Sequence, residues 1–402
     1  MTARPAPVGG PGGVPGTGPG AGARDLRLVP PAVAAWSAAA LAPAAPPVWA
    51  VTAAAAATAL ALVLLGTRRA GVPRVAAAAL FCAAAASVIA SCHAADLHRG
   101  PLPGLGREYG RAEVELTVTG DPESRAPRVR GSVQGPPVVV VEATADRVTA
   151  RGESTRVRTP VLVVVRGEGR GGWLRLLPSS RVATEAKLAP PARPEDRYAA
   201  VLRVSRPPKP LRPPSAVQKA AGRLRSGLRK AADGLSADAR ALLPGLVIGD
   251  TSRIPPGVVE DFRATDLSHL LAVSGANLTI LLVVLTGPPS RAIRAERGGL
   301  APRLGIPLRA TAVLGGLITL GFVVLCRPDP SVLRAAACGL ITLLALGTGR
   351  RRSMVPALAA AVLLLVLFVP DLARSYGFLL SVLATWALLV IARTEKIGRA
   401  HV

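Results

Sequence analysis

The sequence predicts a polytopic α-helical membrane protein with an extracytoplasmic β-barrel domain of OB-like type. Three observations carry that expectation. Half of the 402 residues are hydrophobic and mean hydropathy is +0.40, with several apolar runs near the ~20 residues that a bilayer span requires. The loops between those runs sort by charge, as membrane orientation demands. Residues 111–205 interrupt the apolar runs with alternating, β-branched segments bounded by turn residues.

Residues 1–30 are rich in Gly and Pro and read as a disordered cytoplasmic tail. The region 31–95 holds apolar blocks at Pro31–Pro46, Val48–Gly66 and Val75–Ala95. Pro43, Pro46 and Pro47 break the first, which predicts a short or kinked helix rather than a full span. The basic loop Arg68–Arg74 is then cytoplasmic, and the third block exits on the outer face. No cleavable signal peptide is evident.

The region 96–206 predicts strands at Ala112–Thr119, Val138–Val148, Val157–Val165, Arg181–Leu188 and Tyr198–Val204. Their number and length fit a five-stranded antiparallel barrel. Aromatic residues are sparse there (Tyr109, Trp173 and Tyr198), whereas nucleic-acid-binding barrels of this kind offer stacking platforms. A structural or gating role therefore stands beside a binding one. The region 207–238 is a Pro-rich linker followed by a basic amphipathic helix, Ala216–Leu235, with an apolar stripe of Val217, Leu224, Leu228 and Leu235. Such a helix lies on a membrane surface or packs on the barrel.

The region 239–396 predicts further spans at Ser268–Thr286, Ala310–Cys326, Val332–Gly347, Met354–Val369 and Gly377–Ile391. Arg291–Arg309, Gly349–Arg352 and Arg393–Lys396 are basic, while Arg327–Ser331 and Pro370–Arg374 each hold an aspartate. The N-terminal and C-terminal loops thus agree on one orientation, with the β domain outside.

The net charge of +25 has two readings. It suits a polyanionic partner; yet only 5 of the 49 basic residues are Lys, the profile of GC-rich coding sequence. Cys82, Cys92, Cys326 and Cys338 lie in or beside apolar segments and form no CxxC pair, so they read as packing residues. No metal-cluster motif, P-loop or nucleophile elbow is present. The sequence therefore predicts no catalytic residue, no metal site and no cofactor, and a protein that is not an enzyme.

The most informative segment is Leu242–Leu285, where polar residues enter an apolar helix. With Asp266 at zero on an ideal helix, Asn277 falls near ~20°, Ser274 near ~80° and His269 near ~300°. Ser268, Gly275 and Thr279 cluster between ~180° and ~220°. Polar groups at membrane depth face protein or a water-filled path, so Asp266, His269, Ser274 and Asn277 are channel-lining candidates. Each also has a plainer reading: Asp266 as a helix cap, His269 and Asn277 as interhelical hydrogen-bonding groups.

Four segments, GLVIGDTS (Gly245–Ser252), DFRATDLSHLLAVSGANL (Asp261–Leu278), RPDPSVLRAA (Arg327–Ala336) and PDLARSYGFLLSVLAT (Pro370–Thr385), resemble in order the signature of the ComEC family. These are competence proteins that pass DNA through the cytoplasmic membrane. Leu176–Pro191 resembles the turn-and-strand unit of the family's external OB-like domain. The chain departs from the pattern in holding Asn277 where many members carry His. The resemblance implies a multi-pass protein of the cell membrane that moves single-stranded DNA inward during natural transformation, in contact with the lipid bilayer and other competence-machinery proteins. It also implies phosphate contacts at Arg334, Arg374 and Tyr376. A transporter of another polyanion or solute, and a non-conducting scaffold, remain as alternative readings of the residues. Full-length relatives commonly carry a C-terminal metallo-β-lactamase-like domain to which nothing here corresponds. Residues 397–402, IGRAHV, are what one frame of a common sequencing adapter encodes. The expectation is a channel domain cut short at 396 with an artefactual tail.

Overall fold

The computed structural model describes residues 26–67, 72–125, 129–130, 133–134, 137–193, 196–265, 267, 273, 275–287, 299–348 and 354–398. The chain opens with helices α1 (Val29–Leu41), α2 (Pro47–Gly66) and α3 (Val72–His98), then the short α4 (Leu102–Arg107). Prolines shape this start as expected. α1 has only 13 residues, passes through a 3-10 turn at Ala42–Ala44, and restarts as α2 beyond Pro46.

The β region follows: β1 (Arg111–Val118), β2 (Glu123–Arg125), β3 (Val129–Arg130), β4 (Val133–Gln134), β5 (Val138–Ala150), β6 (Glu153–Val165), α5 (Arg170–Leu174), β7 (Arg181–Ala189), β8 (Ala200–Val204) and β9 (Lys209–Arg212). β3 and β4 form a two-stranded sheet, and the other described strands form a seven-stranded one. Its pairings run β1–β5–β6–β8–β7 and return from β7 to β1, with β6–β8 the parallel step. The period-two pattern causes the core. Ala112, Val114, Leu116 and Val118 of β1 point inward with Val141, Val163, Leu188 and Leu202. Trp173 of α5 is fully buried beneath them and donates Nε1–H to the Arg206 carbonyl at 3.0 Å.

β9 lies inside the stretch expected to be a linker. Its Pro210 cannot donate to a ladder, but β9 is an edge strand, fully exposed, and meets β7 across a register shift beside Pro210. The five longer strands were legible because each alternates; β9 does not.

The chain then enters α6 (Ala216–Ala231), α7 (Ala237–Ile248), α8 (Pro256–Ala264), α9 (Gly275–Thr286), α10 (Leu300–Arg303), α11 (Leu308–Cys326), α12 (Pro330–Gly347), α13 (Met354–Phe368) and α14 (Tyr376–Gly398). Among the described residues, four helices are long and apolar enough to cross a membrane: Val48–Gly66, Val72–His98, Leu308–Cys326 and Pro330–Gly347. Large apolar residues stand on their outward faces, as with Leu62, Val63, Leu317 and Leu344, a surface that suits lipid rather than water. This is a membrane protein.

Two helical cores sit side by side. One gathers Ala35, Ala86, Leu358, Val362 and Phe378 from α1, α3, α13 and α14. Trp36 joins it, donating Nε1–H to the Ala373 carbonyl at 2.9 Å with its ring 5.2 Å from that of Phe378. The second gathers Ile248, Val273, Leu278, Phe322, Val332 and Ala336 from α7, α9, α11 and α12.

The expected span Ser268–Thr286 is realised among the described residues as the 12-residue α9, starting at Gly275. Leu267 and Val273 are not helical. Val273 instead packs its side chain into the second core and against Gly249. An unbroken helical wheel from Asp266 to Asn277 does not describe this segment.

Candidate functional site

The β region meets the helices at a joint of buried charges. α7 ends on Gly249, which adopts φ +70° and lets the Gly249 and Asp250 amides bond back to the Gly245 and Pro244 carbonyls. A side chain there would be strained, and its Cβ would come within 2.8 Å of Val273 Cγ2. The turn delivers Asp250 into the interior, where it is 1% exposed. Its Oδ1 accepts from Ser252 Oγ at 2.6 Å and its Oδ2 from Arg229 Nη1 at 2.5 Å. Arg225 Nη2 lies 3.6 Å from Oδ1. Burial alone would raise the Asp250 pKa. The Ser252 hydrogen bonds and the Arg225 and Arg229 charges outweigh it and hold the carboxyl below its ordinary value.

Arg225 is the hub. It donates from Nη1 to the Ile248 carbonyl at 3.2 Å and the Leu325 carbonyl at 2.9 Å. Its Nη2 reaches Asp121, beyond β1, at 3.0 Å. Arg327, just past α11, grips the same carboxylate with a fork: Nε to Oδ2 at 2.9 Å and Nη2 to Oδ1 at 2.6 Å. Its Nη1 donates to Gln218 Oε1. Arg327 pairs φ +68° with an extended ψ of 161°, a region that residues with a side chain occupy at a cost of about 1–3 kcal/mol. The fork onto Asp121 holds it there.

A second contact lies close by. Glu142 of β5 accepts from Tyr198 Oη at 2.5 Å and from Arg197 Nη2 at 2.7 Å. Burial, followed by Glu142, pushes the Tyr198 pKa up to about 12. Burial and the Glu142 charge also raise the pKa of Asp329, which precedes α12.

This arrangement corrects the expected face of α6. Val217, Leu224 and Leu235 are exposed, and only Leu228 of that stripe packs inward. The buried side is Ala221, Arg225, Leu228 and Ala232, rotated ~50° from the apolar stripe on a 100° wheel. Sequence reading missed Arg225, Arg229, Gln218 and Asp121. The available signal was weak: Arg225 and Arg229 lie one turn apart, beside an Ala-lined face.

Of the channel-lining candidates, Asp266, His269 and Ser274 lie outside the described residues. Asn277 donates Nδ2–H to the Leu246 carbonyl at 2.8 Å and the Val247 carbonyl at 3.3 Å, tying α9 to the end of α7. Gly275 packs as its small size suggested: a Cβ there would sit 2.7 Å from Ala335 Cβ of α12. Thr279 is exposed and turns its hydroxyl onto the Gly275 carbonyl at 3.1 Å, so it is not on the packed face.

Arg334 lies one turn into α12. Its Nε donates to Ser381 Oγ at 2.7 Å and its Nη1 to Thr385 Oγ1, both on α14. Among the described residues no carboxylate forms an ion pair with it. Arg374 and Tyr376 stand exposed at the turn into α14, Tyr376 at 83%. Arg334 is thus separated by burial from the other two phosphate-contact candidates. All four cysteines are free.

A mixed helical and β-sheet membrane protein, jointed through Asp121, Arg225, Asp250 and Arg327, is the class that this geometry defines. Residues 246–398 match the family model described as Competence protein. The match supports the ComEC resemblance and takes in Asp250, Asn277, Arg327, Arg334, Arg374 and Tyr376. No curated protein and no solved structure matches the chain.

Proposed function

We propose that the chain forms part of a cell-membrane channel passing single-stranded DNA into the cytoplasm during natural transformation. The observation that carries this reading is the Competence-protein match over 246–398, within which a guanidinium sits among apolar helices, held by hydroxyls alone among the described residues. A charge kept at membrane depth marks a transport path more often than a structural element. Arg334 then meets phosphate from within, while Arg374 and Tyr376 stand at the outer mouth. The role is passage rather than catalysis.

The pairing circuit of β1, β5, β6, β8 and β7, with a helix between the third and fourth of those strands in chain order, supports an OB-like barrel. The loop charges support an extracytoplasmic position for it in a multi-pass protein. Other competence proteins are its natural neighbours there.

The test is transformation in the source cell. Deleting the gene abolishes DNA-dependent transformation, and Arg334→Gln reduces it with normal protein level. Asn277→Leu serves as the folding comparison, since it removes two interhelical donor contacts and lowers protein level. Transformation at the parental frequency in the deletion strain overturns the reading.

A further inference from the structure

A cleft of about 400 Å³ opens on the β region, a size within the ~300–1,000 Å³ of small-ligand sites. Its charged lining is Glu115, Asp146, Arg147, Arg156, Arg158 and Arg181. Both carboxylates are engaged from within the cleft. Glu115 lies 3.2 Å from Arg147 Nη1 and 3.6 Å from Arg181 Nη2. Asp146 accepts from Thr117 Oγ1 at 2.6 Å and lies 3.3 Å from Arg181 Nε. That last contact lacks hydrogen-bond geometry, and the buried Nε–H has no acceptor among the described residues. Arg156 and Arg158 are exposed, with no ion-pair partner among the described residues. Four guanidiniums over two carboxylates leave two surplus positive charges. Arg147 also stands directly opposite Arg156 in the β5–β6 ladder, where like charges destabilise the pairing. An anion between them relieves that repulsion.

The position of the cleft selects the anion. Val157, which lines it, packs against the exit of the membrane-spanning α3: a Cβ at Gly100 would lie 3.3 Å from Val157 Cγ1. Gly100 is five residues past Ala95, where the apolar run of α3 ends. At ~1.5 Å per helical residue it stands about 7 Å beyond the hydrocarbon. The headgroup layer on each side of a bilayer is roughly 5–8 Å deep. Four positions past Thr117 of the lining, Asp121 is gripped by Arg327 at the exit of α11, a second span. The cleft therefore neighbours the ends of two membrane-spanning helices, at the depth of lipid phosphate.

We infer that this cleft binds the headgroup of an anionic phospholipid, of the phosphatidylglycerol type, from the leaflet into which α3 emerges. The inference stands apart from the DNA-passage reading. Arg156 and Arg158 meet the phosphate, whose planar recognition suits guanidinium. Glu115 and Asp146 keep free lone pairs that accept from the headgroup hydroxyls. A bound lipid of this kind seats the β region on the bilayer beside α3, as the arginine joint seats it above α11.

The test uses the purified full chain in detergent, titrated with dioctanoyl phosphatidylglycerol and read by native mass spectrometry and thermal melting. The lipid binds and raises the melting midpoint; dioctanoyl phosphatidylcholine and inorganic phosphate at equal concentration do neither. Arg156→Gln/Arg158→Gln weakens phosphatidylglycerol binding about 30-fold. Arg156→Lys/Arg158→Lys retains most of it, as does Arg203→Gln/Arg206→Gln, which removes equal charge elsewhere on the β region. Without lipid the Arg156→Gln/Arg158→Gln pair melts no lower than the parent, because the Arg147–Arg156 repulsion is gone, so misfolding does not account for the loss. Unchanged phosphatidylglycerol binding in that pair overturns the site. Equal protection by inorganic phosphate overturns the headgroup and leaves a free-anion site. Displacement of the lipid by an equimolar oligothymidine overturns it in favour of nucleic acid.

Discussion

Asp250 shows how far a single residue could be read from the chain. Its place after Gly249 was visible, and so was its match to a family segment, yet its partners were not. They come from α6, 21–25 positions earlier, and in the sequence those arginines look like part of a solvated face. Breaking such a buried pair by removing one partner costs about 3–5 kcal/mol, because the remaining charge stays buried. Asp250→Asn is therefore expected to lower the melting midpoint of the purified protein far more than Asp233→Asn at the exposed Arg253 pair. The pH dependence has a definite sign. A carboxyl held below its ordinary 3.8 contributes stability that is complete above that value and lost as pH falls through the folded-state value. The acid limb of the stability curve flattens in Asp250→Asn. An unaltered limb would show that Asp250 contributes no such linkage.

Elements were legible where one period ruled them. The inward Val and Ala positions of β1, β5 and β6 repeat every second residue, and the long spans are apolar over most of their length. The α6 face was not legible because its buried side is ionic, paired through contacts far away in sequence. The start of α9 was not legible because Val273 is apolar in either conformation. Its place beside Gly249 and in the second core comes from contacts distant in sequence. Gly275 provides the test at this scale. A Cβ there would meet Ala335 across the α9–α12 contact at 2.7 Å, and overpacking of this kind costs about 1–3 kcal/mol. Gly275→Val should lower the yield of folded protein in detergent, while Gly321→Ala, with open space around it, should not. Equal yields would remove the close approach from the account of this helix pair.

For the whole molecule, orientation is the property that the sequence states most clearly and the pairings leave open. The loop charges predict Ser154 outside and the segment containing Leu304 inside. In a background with the four cysteines replaced by alanine, Ser154→Cys should react with an impermeant thiol reagent in intact cells. Leu304→Cys, 73% exposed at its position, should react only after permeabilisation. The reverse pattern would invert the direction of passage with it.

Asp121 answers to two arginines, one 104 and the other 206 positions later in the chain. That spacing sets an order of assembly. During synthesis the β region is made first, with its carboxylate waiting in water. Arg225 and Asp250 arrive next and can pair with one another at once. Only when α11 has been made does Arg327 exist to close the fork. A domain whose last fastening is the most distant in sequence spends its early life docked by one bond or none, and contacts of such range form slowly. The joint is a clock as well as a hinge pin: protease resistance around Asp121 should rise in two steps, the second only after Arg327 has been synthesised.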